Sequence, residues 1–580
     1  MLDAAPLLEV LLGSAQSTTK MDANMNSMKA SLSQQESFKL DFATMPSPTA
    51  LANNAQHRPE RPDGRFVAGN QFYNYEIYGS LRQGGAVKFL SIECLGLAAA
   101  IFSSVFSYAG LQSVLRPLLS AQLQLNKQQN LAVQRLVELP MALSLFIGLL
   151  SDCYPILGLR RKAYMIVGLA LNAVAVLSIA GISSKLESED ADEEISPAIE
   201  TLVILLAACA STGCMFTYLC THTRLIELSQ REPLCERGAI QATYLVFRRI
   251  TQLASSCFAY IAMGAGNDST RFHLSNSMMI LALFSVAPLP LILLYWQEET
   301  YSLPCSMKVR ANIFWRIMQQ KAVWRVIAFI AFFTFFLGVR FNDSFNIVRM
   351  WSGATTDNAI LVRSVADVVM LITVFIWRYF FINRPWRLFF CWAPIIMIVT
   401  QLVLSSLTCF DVVRDRYFFR SMSGVSAISD GVQLLENIVP LTEIIQEGSE
   451  GATVGLVLSL QRLIGLFVNT SSSNLFRGDN FYSPGEVLED NTHVRWMVFL
   501  SLLLNYAINA VSFGGLFFLP QQKLDAQQMR MYGGFTKAAS VSITIFSVIF
   551  FIYSAVINVL AFVPSMACRR AVGGEGCARP

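Results

Sequence analysis

Arg249 and Arg462 sit where an arginine is hard to keep. Each follows a glycine by eleven residues, in "GAIQATYLVFRRI" and "GATVGLVLSLQRLI", inside runs long enough to cross a bilayer. At about 1.5 Å rise per residue, both would lie roughly 16 Å into a helix, near the middle of a hydrocarbon core about 30 Å thick. A guanidinium there costs at least about 2.5–3.5 kcal/mol on insertion scales, so each needs a carboxylate or a wet cavity. Glu93, Asp367 and Asp430 are the candidate counter-ions. Two further pairs, Arg135 with Glu138 in "NLAVQRLVE" and Arg363 with Asp367 in "NAILVRSVAD", have the i, i+3 and i, i+4 spacing that permits pairing within one helix. The chemistry on offer is capture of an anionic solute, because guanidinium stays charged and grips carboxylates bidentately. The bland alternative is a set of ion pairs locking helices together. Arg249, Arg462, Asp430, Glu93, Arg363 and Asp367 are therefore the candidate solute-binding residues. Asp430 or Glu93 could carry a coupling proton or act as fixed counter-ions, and the residues alone leave both open. His222 reads as a packing or interfacial residue near a segment end.

Positioning such groups requires membrane helices. Hydrophobic residues make up 54% of the 580 and charged residues 14%, with a mean hydropathy of +0.47. Soluble chains carry about a quarter charged residues. Apolar runs of about 20 residues recur, and in lipid such runs must satisfy their own backbone hydrogen bonds as helices. The expected spans are 88–112, 130–150, 163–183, 199–222, 238–264, 275–296, 323–341, 358–382, 387–409, 419–445, 450–475 and 494–518, with a thirteenth at 537–562. The weakest is 419–445, which holds Asp430, Glu436 and Glu443.

Cations concentrate in alternate loops, at Arg160–Lys162, at Arg231 and Arg237, and from Lys308 to Lys321, while "LESEDADEE" and "GDNFYSPGEVLED" are acidic. Arg414, Arg416 and Arg420 are the exception, partly offset by Asp411 and Asp415. The positive-inside rule places the even-numbered loops and the N-terminus in the cytosol. Residues 1–84 read as a disordered cytosolic tail, too polar to fold alone. The shared spacing around Arg249 and Arg462, and around Arg135 and Arg363, relates spans six apart, as parallel six-helix repeats require. The expected halves are 85–297 and 323–520, joined by a cytosolic loop at 298–322 and followed by a linker and the last span over 521–580. Of twelve cysteines, none forms a metal-type CxxC pair, and only Cys568 and Cys577 are candidates for a disulfide. Scattered cations argue against nucleic acid. No cofactor or metal is expected.

"GLLSDCYPILGLRRKAY" joins spans two and three. Its cations alone would anchor topology, but Asp152 with Gly148 and Gly158 suggests a moving joint. Gly148, Asp152, Gly158, Arg160 and Arg161 resemble the loop signature of the major facilitator superfamily. The longer spacing, S-D-x-x-P-I-x-G-x-R-R-K-x-Y, is similar to that of the folate–biopterin transporter family. "EGSEGATV" after the Pro440-bearing span ten extends the resemblance, which covers roughly 85–520. It implies an all-α polytopic membrane protein of two six-helix halves, here with an extra C-terminal helix. It also implies a secondary active transporter working by alternating access around a midplane site lined by spans one, two, five, eight, ten and eleven. Gly148, Asp152, Gly158, Arg160 and Arg161 would form its cytosolic gate. Expected partners are the lipid bilayer, a small organic solute with folate or pterin in view, and protons; the carrier is expected to be a monomer in the plasma membrane or an organelle membrane. Two departures weaken pterin or folate as cargo. Span four, which often carries aspartates in that family, reads "GCMFTYLCTHTRLIELS", and the second-half loop "INRPWR" lacks the Asp/Gly pattern. The alternatives are a carrier for another organic anion or metabolite, or a transport-dead receptor or scaffold. An enzyme is not expected, since HExxH and GxSxG are absent, and the lack of a GxxxxGK[ST] loop argues against ATP-driven transport by this chain alone.

Overall fold

The computed structural model describes residues 79–574, apart from short stretches at 83, 118–122, 124, 189–195, 264–271, 297, 299–305, 355–358, 476–480 and 483. The expected N-terminal tail therefore lies, but for its last residues, outside the described residues. Eleven helices are long and apolar enough to cross a membrane: Ile92–Leu115, Gln128–Cys153, Lys162–Glu187, Pro197–Ser229, Leu274–Tyr295, Lys321–Gly338, Ile360–Phe381, Trp386–Cys409, Glu450–Ser472, Thr492–Phe517 and Lys537–Phe562. Two more, Ala239–Met263 and Arg416–Glu436, occupy the fifth and tenth positions. They fall short of that apolarity because of the side chains they carry. One holds Arg248, Arg249, Gln241 and Gln252, the other Arg416, Arg420, Asp430, Gln433 and Glu436. All thirteen expected spans are thus helical.

Several spans are broken where prolines remove backbone donors. Span two runs as Lys127–Glu138, a 3-10 turn Leu139–Leu143 containing Pro140, and Ser144–Cys153. Span ten ends its first piece at Glu436 and resumes as Val439–Ile444 around Pro440. These breaks place Glu138 and Asn437 at helix ends deep in the bundle, where side chains can turn inward.

The two six-helix halves meet along two seams. At one, span five packs on span eight; at the other, span eleven packs on the inner piece of span two. Glycines set the second contact. A Cβ on Gly148 would stand 2.0 Å from the Gly451 carbonyl oxygen, and one on Gly455 would stand 2.6 Å from that of Ser144. Without side chains the backbones close up, and Ser144 Oγ donates to the Gly455 carbonyl at 3.0 Å.

Span thirteen, Lys537–Phe562, lies over this same seam and touches both halves. Its Asn558 donates to Thr470 of span eleven at 3.0 Å, and the rings of Phe550 and Tyr553 pack at a tilt on Phe467, with centroids 4.5 and 4.9 Å away. On the other side Gln129 of span two donates to the Phe562 carbonyl at 3.1 Å. The linker before it contains the helix Lys523–Tyr532. Cys568 is disulfide-bonded; its expected partner, Cys577, lies outside the described residues.

Candidate functional site: a central cationic cavity and a closed inner end

Following the charge bias, we call the end that carries Arg160–Lys162 the inner end. Span two finishes there at Asp152, which is almost fully buried. Its Oδ1 accepts from Arg160 at 3.0 Å and Arg161 at 2.6 Å. The same carboxylate accepts from the backbone N–H of Gly451 at 3.3 Å and of Ala452 at 2.8 Å. These are the second and third residues of span eleven, whose own N-cap, Ser449, makes no side-chain cap. Asp152 of one half therefore caps a helix of the other, where orphan N–H groups and the positive end of the helix dipole favour a carboxylate.

The tip of the loop explains its glycine. Leu157 and Gly158 both have positive φ, 54° and 78°, and Ile156 and Leu159 exchange backbone hydrogen bonds at 3.1 and 2.9 Å. This tight turn folds Arg160 and Arg161 back onto Asp152. Glu298, after span six, caps the start of span three by accepting from the N–H groups of Arg160, Arg161 and Lys162 at 2.8–2.9 Å. Both arginines also approach Glu450, at 3.5 and 3.6 Å, and Arg161 lies 3.8 Å from Glu227.

Two latches were not anticipated from sequence. Arg82, ahead of span one, pairs with Glu450, while Leu81 and Arg82 donate backbone N–H groups to the Gln230 carbonyl at 2.9 and 3.2 Å. Arg237, buried in the loop between spans four and five, donates from one guanidinium nitrogen to both carboxylate oxygens of Glu443 in span ten, at 2.8 and 3.1 Å. Gln527 of the linker helix donates to the same carboxylate at 2.5 Å. The inner end is closed.

Between the halves lies a cavity of about 300 Å³. Spans two, four and five line one side with Glu138, Tyr218, His222, Arg248 and Arg249; spans seven, ten and eleven line the other, with Thr334, Asn437, Gln461, Arg462 and Asn469 among their contributions. Spans four and seven thus take the places expected for spans one and eight. Arg249 pairs with Asp367 across the five–eight seam at 2.9 Å and donates to Gln252 at 3.0 Å. Arg248 donates to the Tyr218 hydroxyl at 2.9 Å, with its guanidinium 4.7 Å from that ring's centre. Arg462 lies 5.9 Å from the Tyr108 ring and makes no ion pair among the described residues. Glu138 accepts from Gln112 at 2.6 Å.

Other candidates lie elsewhere. Glu93 is exposed in the 3-10 turn Ile92–Cys94, because the first span begins there rather than at residue 88. Asp430 faces Arg340 at 3.7 Å, both half exposed, and does not line the cavity. Arg363 is exposed, and Asp367 turns to Arg249 instead of pairing with it along the helix. The sequence puts His222 near a span end, but its helix continues to Ser229. The imidazole is fully buried, lines the cavity and has no hydrogen-bond partner at either nitrogen. Two signals could have found these residues. Tyr218 and His222 are four apart on one helix face, and Arg248 adjoins Arg249.

Two six-helix halves around a central cavity, closed at the inner end by ion pairs around the span two–three loop, make this a membrane transporter of the major facilitator fold. The BT1 family model matches residues 110–476, more than half of the chain, and the chain belongs to that family, the folate–biopterin transporters. A crystal structure of a bacterial homologue of the iron transporter ferroportin, in its outward-facing state, matches with 15% identity and a TM-score of 0.50, over 73% of this chain and 99% of that one. The major facilitator proton:xylose symporter XylE, bound to 6-bromo-6-deoxy-D-glucose, matches with 13% identity and a TM-score of 0.46, over 72% of this chain and 94% of that one. No curated protein matches the sequence.

Proposed function

We propose that the protein is a secondary active carrier of a small organic anion, working by alternating access, with folates and pterins the first solutes to test. The observation that carries this reading is the charge of the cavity. Three arginines from both halves face it, and of these only Arg249 has a carboxylate partner among the described residues. Arg248 and Arg462 make no ion pair among the described residues, and Glu138 is the one carboxylate among the lining residues, so the cavity keeps an excess of positive charge that an anionic solute would balance. Tyr218 and His222 add a flat surface and two free ring nitrogens for an aromatic or polar solute body. Because Arg248 and Arg462 belong to different halves, a solute touching both draws the halves together. Its release would let them part.

The test is uptake of radiolabelled folate, biopterin and a panel of organic anions into vesicles containing the pure protein. Arg248→Ala and Arg462→Ala should each reduce uptake of the transported solute at least about tenfold, the equivalent of one lost charge-assisted contact of about 1.5–3 kcal/mol. Normal uptake in both variants would refute the site. Uptake of a neutral solute in preference to every anion would refute the class.

A further inference from the structure

Glu436 is a second buried carboxylate that the solute site does not use. It closes the first piece of span ten, is 1% exposed, and has one partner, the Thr334 hydroxyl, which donates to Oε1 at 2.9 Å. Its Oε2 has none. No ion pair reaches it among the described residues, and the charged groups on the surrounding elements are otherwise engaged. On span seven, Arg325 donates to the Phe517 and Phe518 carbonyls, and Arg340, just past its end, faces Asp430. On span eight, Asp367 holds Arg249, Arg378 donates to Thr243, and Arg363 is exposed. Span nine has one charged residue, Arg387 at its start, which donates to the Leu519 carbonyl. The inner piece of span ten offers only Glu443, which holds Arg237.

A charge at Glu436 would be penalised twice. It would be buried without a counter-ion, and it would sit at the C-terminal, negative end of its helix. Yet the group is not sealed from solvent in every state. Its hydrogen-bond donor Thr334 and its neighbour Asn437 both line the cavity, and the helix breaks directly after it. Intramembrane carboxyls in such places are the usual carriers of protons.

We propose that Glu436 takes up and releases the proton coupled to solute movement. This rests on the carrier reading above. With the bundle closed, the carboxyl keeps its proton. When the cavity opens and water reaches Thr334 and Asn437, the O–H bond breaks, the proton passes to that water, and the carboxylate is stabilised by hydration until the next closure. One proton moves per cycle and no covalent bond to the solute forms.

Two measurements on the full-length protein in lipid vesicles test this. In the first, Glu436→Gln, which keeps shape and hydrogen bonding, is compared with wild type using whichever of radiolabelled folate, biopterin or the anion panel the wild type exchanges. The variant should keep counterflow within about twofold while losing the accumulation driven by an imposed pH gradient. Gradient-driven accumulation at the wild-type rate overturns the proposal. The second needs no solute. Infrared difference spectra over about pH 5–9 should show a protonated-carboxyl band that titrates in wild type and is missing in Glu436→Gln. Thr334→Val should shift the pH at which that band titrates, and it serves if the glutamine variant does not fold. Wild type that moves none of the panel sinks the carrier reading alone; a band that is unchanged by pH, or unaffected by either substitution, sinks the proton site.

Discussion

Removing one partner of the Arg249–Asp367 pair should cost more than removing both. Either Arg249→Ala or Asp367→Ala leaves a buried, uncompensated charge, which typically destabilises by about 3–5 kcal/mol. The double variant leaves none and should recover much of that loss, as a double-mutant cycle read by thermal unfolding would report. A double-variant loss equal to the sum of the two single losses would mean the pair is not coupled. At the opposite, outer end, Asp490 is clamped by Arg414 at 2.5 Å and Arg495 at 2.9 Å. The hydrogen bond from Arg414, reinforced by Arg495, holds its carboxyl down at about 2, below the ordinary carboxylate range. A depressed acid contributes stability above its ordinary value and loses it as pH falls through the folded one. The stability difference between wild type and Asp490→Asn should therefore be constant from neutral pH to about 4 and shrink below that. A difference that vanished by pH 5 would contradict the clamp. At this scale the sequence was half legible. Mid-span arginines declare themselves because lipid tolerates them so poorly. Their partners are only narrowed, to three acids, of which Asp367 holds Arg249 across 118 residues while Glu93 and Asp430 lie elsewhere.

Helices carry the proposed gate. Asp152 supplies to span eleven the cap its own N-terminus lacks, so Asp152→Ala should cost the closed inner end about 0.5–2 kcal/mol. Native Cys153, fully buried beside it, is a ready reporter. A membrane-permeant thiol reagent should label it several-fold faster in that variant, and faster again in Gly148→Ala, where a Cβ would meet the Gly451 carbonyl. Unchanged labelling in both would reduce the loop to a topological anchor. The loop was readable because its chemistry is local: aspartate, turn glycine and arginines lie within ten residues. The span four boundary was not. Hydropathy falls at Thr221 and His222, yet the helix runs on to Ser229, because burial against protein rather than lipid decides where those residues can sit.

The architecture of two halves was visible in repeated spacings, but the helix laid across one seam was not. Span thirteen was legible as a span; its place on both span two and span eleven depends on Asn558, Gln129 and an aromatic cluster that no short pattern announces. The consequence is mechanical asymmetry. A rocker with two equivalent sides tilts about its centre, whereas a book opens at its fore-edge and keeps its spine. Spin labels at Ile261 and Val362, exposed on spans five and eight, should accordingly separate further between states than labels at Phe146, exposed on span two, and Leu475, exposed just past the end of span eleven. Truncating the chain before Lys537 should make the two excursions alike, as if the binding had been cut away and the pages left to part on either side.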